Sequence, residues 1–546
     1  MILYFYFYTL GISLIGFGIL ISRILKIESK DFGIYGILGI TFLSIISYST
    51  AIFFKHNYLF NFFFFILGFS IFLFHIRRLS EFKIELIKFF TIFSILIIFI
   101  LLAKNHDDFP YYHFPYMVFL TEHTHPIGFG NLNNGFRSPS SIFFISSMFY
   151  LPKAEFYLFH LTPAFIMGFA NLSFLNFALN KKNFEENNFI NFLSLISLMF
   201  INIFFYRLAE HGTDRSGMVL VILAIIYLYY SLIYNSEGIA QSKQDSIKIF
   251  SILIFFVVSL KPFYLINLPL FLIFLFFKNV RNVFFSLLFG RTFYYCVIIL
   301  FFTIFYTFLN SSCVIFPITT TCFENVAWSL RQSQIEEVRV FFELWSKAGA
   351  TPHFIAEDQT NYIKGFNWLE NWVDIYFFNK VSDFILGLLL LSVVFIFSFY
   401  NRNNINSIIS IKVFSVYLIL FIFLLEWFLK HPTLRYGGYH LFALIFSIPT
   451  CLFIAKKNIN FRSYLKKTTI LLIITLVIFL SRNVLRINKE NSQYAYNPIS
   501  DNKFKFIGGN RDFYFRYHKF MKIHLPSFEK ISFLGKEIVI TKFKSK

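Results

Sequence analysis

Charge is what this sequence has least of. Only 14% of its 546 residues are charged against 57% hydrophobic, which excludes a disordered chain and an ordinary soluble domain. Apolar runs of about 15–25 residues recur between short polar breaks, the pattern of a polytopic helical membrane protein. Four cysteines are too few for a disulfide framework. No His or further Cys accompanies Cys313 and Cys322 as a zinc set would require, and the histidines show no i, i+4 pair, so no metal set is expected. The first apolar run has no basic leader and no small-residue cleavage site, so it reads as a retained span and not a signal peptide. A repeat of fixed period and a low-complexity linker are both absent. The 85 Phe, with abundant Ile, Asn and Lys, fit an AT-rich genome and receive no functional weight.

Acids are scarcer than bases, 29 to 49, for a net charge of +20. Their distribution points to the positive-inside rule and away from nucleic acid. Fourteen spans are expected, at about 3–22, 33–54, 58–76, 86–103, 155–179, 188–206, 217–235, 249–260, 263–277, 292–309, 384–400, 412–429, 439–455 and 468–481. The alternate loops from Arg23 to Lys467 then hold 21 Lys and Arg, and the short loops on the other side hold nine. The N-terminus and the loop after the fourth span therefore face outward. The runs around "SLKPFYLINLPL" are short enough to be broken or re-entrant helices.

The expected organisation is a transmembrane domain, 1–481, with outer loops at 104–154 and 310–383, and a short C-terminal tail, 482–546, read as extracytoplasmic. "SPSSIFFISSMFYL" in the first loop suits a helix lying at the membrane interface. In the second loop Ile335, Val338, Phe342 and Trp345 recur as on an amphipathic helix. Cys313 and Cys322 fit a disulfide closing a short outer loop. The tail carries 14 basic and five acidic residues, and "EIVITKF" alternates like a strand.

Four polar clusters stand at span ends on the outer side: "NHDDFPYYHF", "RLAEHGTDRSG", "SLKPF" and "KHPTLRYGGYH". Charges there often mark only the headgroup boundary, and lysine snorkels from apolar helices. The adjacent carboxylates Asp107 and Asp108 resist that reading, because neighbouring anions repel and a loop that only turns has no use for them. Glu210, Asp214, Arg215, Lys261 and Arg435 share their side, with His106 and Tyr436 beside them.

An outer-face Asp-Asp pair ending a span, followed by a long loop, resembles the GT-C superfamily of integral membrane glycosyltransferases. "HDDFPYYHFP", "GFGNLNNGFR", "RLAEHGTDRSG", "CVIFPITTTCF" and "WFLKHPTLRYGGY" are similar, in patches over residues 90–450, to a bacterial family of large GT-C-like membrane proteins. Two features depart from the superfamily: the acid pair follows the fourth span and not the first, and a long soluble C-terminal domain is missing. The resemblance implies an all-α, GT-C-like enzyme of the bacterial cytoplasmic membrane, active on its periplasmic or extracellular face. Such an enzyme would move a sugar from a polyprenyl-phosphate carrier to a glycan or lipid acceptor. Asp107 or Asp108 would be the general base, Asp107 being preferred as the family-like position. Arg435 would be first choice for the phosphate, ahead of Arg215 and Lys261, with Glu210, Asp214, Tyr436 and His106 as further substrate contacts. A divalent cation is the one cofactor left open, and membrane lipids are the other expected partners. An O-antigen polymerase or ligase, or a polysaccharide or lipid transporter, is the alternative.

Overall fold

The computed structural model describes residues 2–76, 79–97, 106–234, 240–351, 356–402, 411–494, 517–519, 521–522, 528–533 and 536–541. Its helices are α1 (Ile2–Leu25), α2 (Phe32–Ala51), α3 (Tyr58–His75), α4 (Leu79–Leu96), α5 (Phe114–Glu122), α6 (Ser141–Ser147) and α7 (Leu161–Ala178). There follow α8 (Lys181–Asn187), α9 (Phe189–Phe204), α10 (Gly212–Ile233), α11 (Ala240–Leu260), α12 (Ile273–Phe276), α13 (Lys278–Leu287) and α14 (Arg291–Ser311). The chain ends with α15 (Gln332–Lys347), α16 (Gln359–Tyr362), α17 (Leu369–Trp372), α18 (Ser382–Phe399), α19 (Ile411–Lys430), α20 (Tyr439–Ala455) and α21 (Phe461–Tyr494). One antiparallel hairpin, β1 (Phe528–Phe533) with β2 (Lys536–Thr541), completes the described residues and contains the strand-like "EIVIT".

Among the described residues ten helices are long and apolar enough to cross a bilayer. They mark a membrane-embedded, multi-pass protein. α1, α2, α7, α9, α10 and α11 form a tightly packed inner group. Small residues permit it: a Cβ on Gly18 would lie 1.6 Å from the Tyr35 carbonyl oxygen, so α1 and α2 can touch backbone to backbone only with glycine there. Asp31 caps α2 through the Gly33 N–H at 2.7 Å, and Asn57 caps α3 through the Phe60 N–H at 2.9 Å. Pro262 stops α11, and a 3₁₀ run, Pro262–Leu272, leads into α12, so this segment is broken as expected.

Three expectations are corrected. The segment 138–151 does not lie at the interface. Its helix α6 is buried, because its serines find partners inside the bundle: Ser146 Oγ meets Thr162 Oγ1 at 2.8 Å, and Ser259 donates to Ser141 at 2.8 Å. The helix of the last expected span does not end at 481. α21 runs for 34 residues, about 51 Å at 1.5 Å per residue, well beyond a hydrocarbon core of about 30 Å. The tail therefore starts after Tyr494. Its Tyr517 hydroxyl donates to Glu122 Oε2 at 3.2 Å at the end of α5. The loop 310–383 is shorter than expected, since a continuous helical run from Leu369 reaches Phe399. Within it Cys313 is bonded to Cys322, and Phe316, Leu330 and Ile335 of α15 form a small separate core around them.

Two buried histidines pin the loops below α2. His56 Nε2 meets Thr50 Oγ1 at 2.9 Å and its Nδ1 meets Ser147 Oγ at 2.6 Å; His125 Nε2 meets the Tyr116 hydroxyl at 2.7 Å. Burial pushes both rings down to about 3. An unfolded chain takes up these protons near pH 6.5 and the folded one does not, so stability is complete above that pH and falls as pH drops toward 3. At pH 5 each ring costs up to about 2 kcal/mol. The melting temperature of purified protein should fall between pH 7 and 5, and His125→Gln should flatten the slope. A pH-independent melting temperature over that range would refute the assignment.

Candidate functional site

Four charged side chains from four distant stretches meet at one end of the bundle. Asp214 lies in the first turn of α10, where the helix dipole favours an anion, and its side chain is only 4% exposed. Pro262 leaves Lys261 extended, and the ammonium donates to Asp214 Oδ1. Tyr264 donates to the Asp214 carbonyl at 2.5 Å.

Arg435 sits in a wide π-type turn, Leu434–Gly438, ahead of α20. Gly437 takes φ +87 there, and a Cβ at that position would meet Phe263 at 2.8 Å. The guanidinium bridges two carboxylates: Nε donates to Asp214 Oδ2 at 2.5 Å, and Nη2 donates to Asp108 Oδ2. Asp108 precedes a second π-type turn, Phe109–His113, which opens with Pro110 at its second position. The Tyr112 hydroxyl donates to Asp108 Oδ2 at 3.3 Å. The Asp108 N–H donates to His106 Nδ1 at 3.1 Å, and the His106 ring stacks on His113 with centroids 5.4 Å apart.

Burial pushes the Asp108 carboxyl up, but the Arg435 charge more than offsets it, so the group is held below the usual carboxylate range and is ionised. Burial and the same Arg435 charge push His106 down, and burial with His106 nearby pushes His113 down to about 3. Both imidazoles are neutral at physiological pH. Above the cluster Lys261 Nζ lies 4.7 Å from the Tyr436 ring centre, and Trp345 of α15 meets the same ring edge-on at 5.5 Å. The amphipathic helix of the second loop thus roofs the site.

Potential ligand atoms of His106, Asp108 and His113 lie within 4.8 Å of one another, a nitrogen-and-oxygen set suited to a first-row divalent ion. The histidines looked scattered along the sequence, and the turn at 109–113 is what gathers two of them. Arg435 already holds Asp108 Oδ2 and a backbone N–H occupies His106 Nδ1, so a cation would compete with Arg435 for the Asp108 charge.

Of the residues singled out in the sequence, Asp108, Asp214, Lys261, Arg435, Tyr436 and His106 come together. Asp107 does not: it is exposed on the outside of the turn, because consecutive side chains there leave in different directions. Glu210 also lies apart, paired with Arg486 of α21 and 3.6 Å from Arg207. Arg215 lies over the Phe205 ring. Tyr264 belongs to the site and was not singled out in the sequence. Tyr112 and His113, inside the quoted "NHDDFPYYHF", and Trp345, on the expected amphipathic helix, also reach it. A groove of about 350 Å³ between α1 and α3, lined by Ile19, Arg23, Ile71 and His75 among others, shares no residue with the cluster.

These features define a class: a multi-pass helical membrane protein with a closed Asp–Arg–Asp–Lys chain at one end of the bundle, under an aromatic roof. Over residues 1–442 the chain matches the family model described as a domain of unknown function (DUF8201), and it belongs to that family. The match takes in Asp108, Asp214, Lys261 and Arg435. No curated protein and no solved structure matches the chain.

Proposed function

We propose that the protein is a membrane glycosyltransferase of GT-C type, moving a sugar from a polyprenyl-phosphate carrier to a cell-envelope glycan or lipid acceptor. The observation that carries this reading is the ionised Asp108, 28% exposed in its side chain, held at the mouth of the bundle by Arg435. The acceptor hydroxyl gives its proton to Asp108 as its oxygen bonds to the anomeric carbon. The anomeric C–O bond breaks, and its electron pair leaves on the carrier phosphate. A carboxylate held below its usual range is a weak base, and the reaction suits one: the acceptor oxygen becomes strongly acidic as it joins an oxocarbenium-like centre.

In this reading α4, α9, α11 and the broken Pro262–Phe276 segment are further spans, making fourteen. The end bearing the cluster faces the periplasm or the extracellular space, a placement the Lys and Arg asymmetry supports. Mass spectrometry of envelope glycans from cells with and without the protein tests the proposal. The expected result is loss of a single sugar from one glycan or lipid. A mass difference of a whole oligosaccharide block would favour a polymerase or ligase, and an unchanged glycan profile would remove the transferase reading.

A further inference from the structure

The charge balance of the Asp108 site raises a question about where a phosphate could bind. Arg435 and Lys261 face Asp108 and Asp214, two cations against two anions. No positive charge is left over. A few residues away the balance is different. Arg207, in the turn before α10, and Arg482 and Arg486, on the extended part of α21, surround Tyr206: the Arg482 guanidinium lies 3.9 Å and that of Arg207 5.7 Å from its ring centre. Arg215, next to Asp214 on α10, feels the charges of Glu210 and Arg207. Among the described residues only Glu210 and Glu490 form ion pairs with these four arginines: Arg486 pairs with both, Glu490 at 2.9 Å, and Arg207 shares Glu210 at 3.6 Å. Arg482 donates, among the described residues, to the Ile203 carbonyl alone, at 2.7 Å. Arg215 Nη1 and Arg486 Nη1 are shielded from water and have no acceptor among the described residues, a costly state for a guanidinium unless something else fills it.

We infer that Arg207, Arg215, Arg482 and Arg486 form an anion site for the phosphate or pyrophosphate group of a membrane lipid. Guanidinium forks match phosphate oxygens, and among the described residues Arg215 and Arg482 have no carboxylate to displace. The neighbouring surface favours a lipid over a free ion: Val484 and Leu485, between Arg482 and Arg486 on the same helix, are 46% and 69% exposed, so apolar side chains stand beside the arginines. Burial pushes the Tyr206 hydroxyl up, yet its bond from Arg207 and the charges of Arg207, Arg482 and Arg486 hold it below its ordinary value, which reports the positive field of the cluster. Sequence reading missed the site because it ended the last span at 481. Arg482, Arg486 and Glu490 recur at four-residue steps, the signal that the helix continues.

Binding does not depend on sugar transfer, and its test needs no acceptor. Native mass spectrometry of the full chain in neutral detergent would compare a polyprenyl monophosphate, the uncharged polyprenol and inorganic pyrophosphate. The phosphate lipid should bind and the polyprenol should not. The double variant R207Q/R482Q should weaken lipid binding about tenfold or more, and R207K/R482K, which keeps the charge, should lose much less. Equal affinity for polyprenol and its phosphate, or unchanged affinity in R207Q/R482Q, would overturn the site. Inorganic pyrophosphate competing as tightly as the lipid would overturn the lipid assignment. D108N protein that binds the lipid phosphate normally supports the site whatever its transfer activity, so this inference and the transferase reading fail separately.

Discussion

Asp108→Asn is expected to lower sugar transfer by about 10²–10⁴-fold, the usual consequence of losing a general base, while Asp107→Asn leaves transfer near the level of the unaltered protein. The two residues are neighbours of one chemical type, so the comparison cancels general effects of a substituted outer loop. Asn preserves the volume of Asp108 and can still accept from Tyr112 and Arg435, but it cannot take a proton. Folding should survive, because Arg435 keeps Asp214 as a partner. The measurement is transfer from a polyprenyl-phosphate sugar in reconstituted vesicles, with thermal unfolding as the control. Near-normal activity in D108N would eliminate Asp108 as the base. Loss of activity in D107N with D108N intact would mean that the turn opens differently during turnover.

Why Asp108 and not Asp107 was not legible in the sequence. Hydropathy runs and Lys/Arg asymmetry are averages over twenty residues, and they located the helices and brought the right loops to one side. The direction of a single side chain depends on the turn at 109–113, whose Pro110 and π-type geometry no local pattern announces. The same limit hid the pairing of Glu210 with Arg486, residues far apart in the chain that meet only because α21 outlasts the bilayer. Buried α6 was misread for a related reason: its apolar face looks the same whether lipid or protein covers it, and only the serine partners on α7 and α11 decide between them. By contrast, Lys261 was legible as a charge interrupting an apolar run before proline. A lysine there must either snorkel or find an anion, and Asp214 is that anion.

Arg435→Ala is expected to destabilise the fold by about 3–5 kcal/mol, the usual cost of breaking a buried ion pair from one side. Arg435 is 33% exposed, so solvent screening places the effect toward the lower end of that range. The loss is large because the guanidinium serves two carboxylates at once. Without it Asp108 and Asp214 face each other with Lys261 as the remaining cation, and of the two carboxylates Lys261 is ion-paired with Asp214. Arg435→Lys should recover part of the stability, since an ammonium keeps the charge but cannot donate in two directions through a planar fork. The decisive comparison is a double-mutant cycle with Asp108→Asn. Removing that carboxylate relieves the repulsion Arg435 normally suppresses, so R435A should cost less in the D108N background than in the unaltered chain, a coupling expected above about 0.5 kcal/mol. Thermal unfolding of the four proteins in one detergent measures it. Strict additivity would mean that Arg435 holds Asp214 alone, and that the bridge to Asp108 contributes nothing to the closed state of the site.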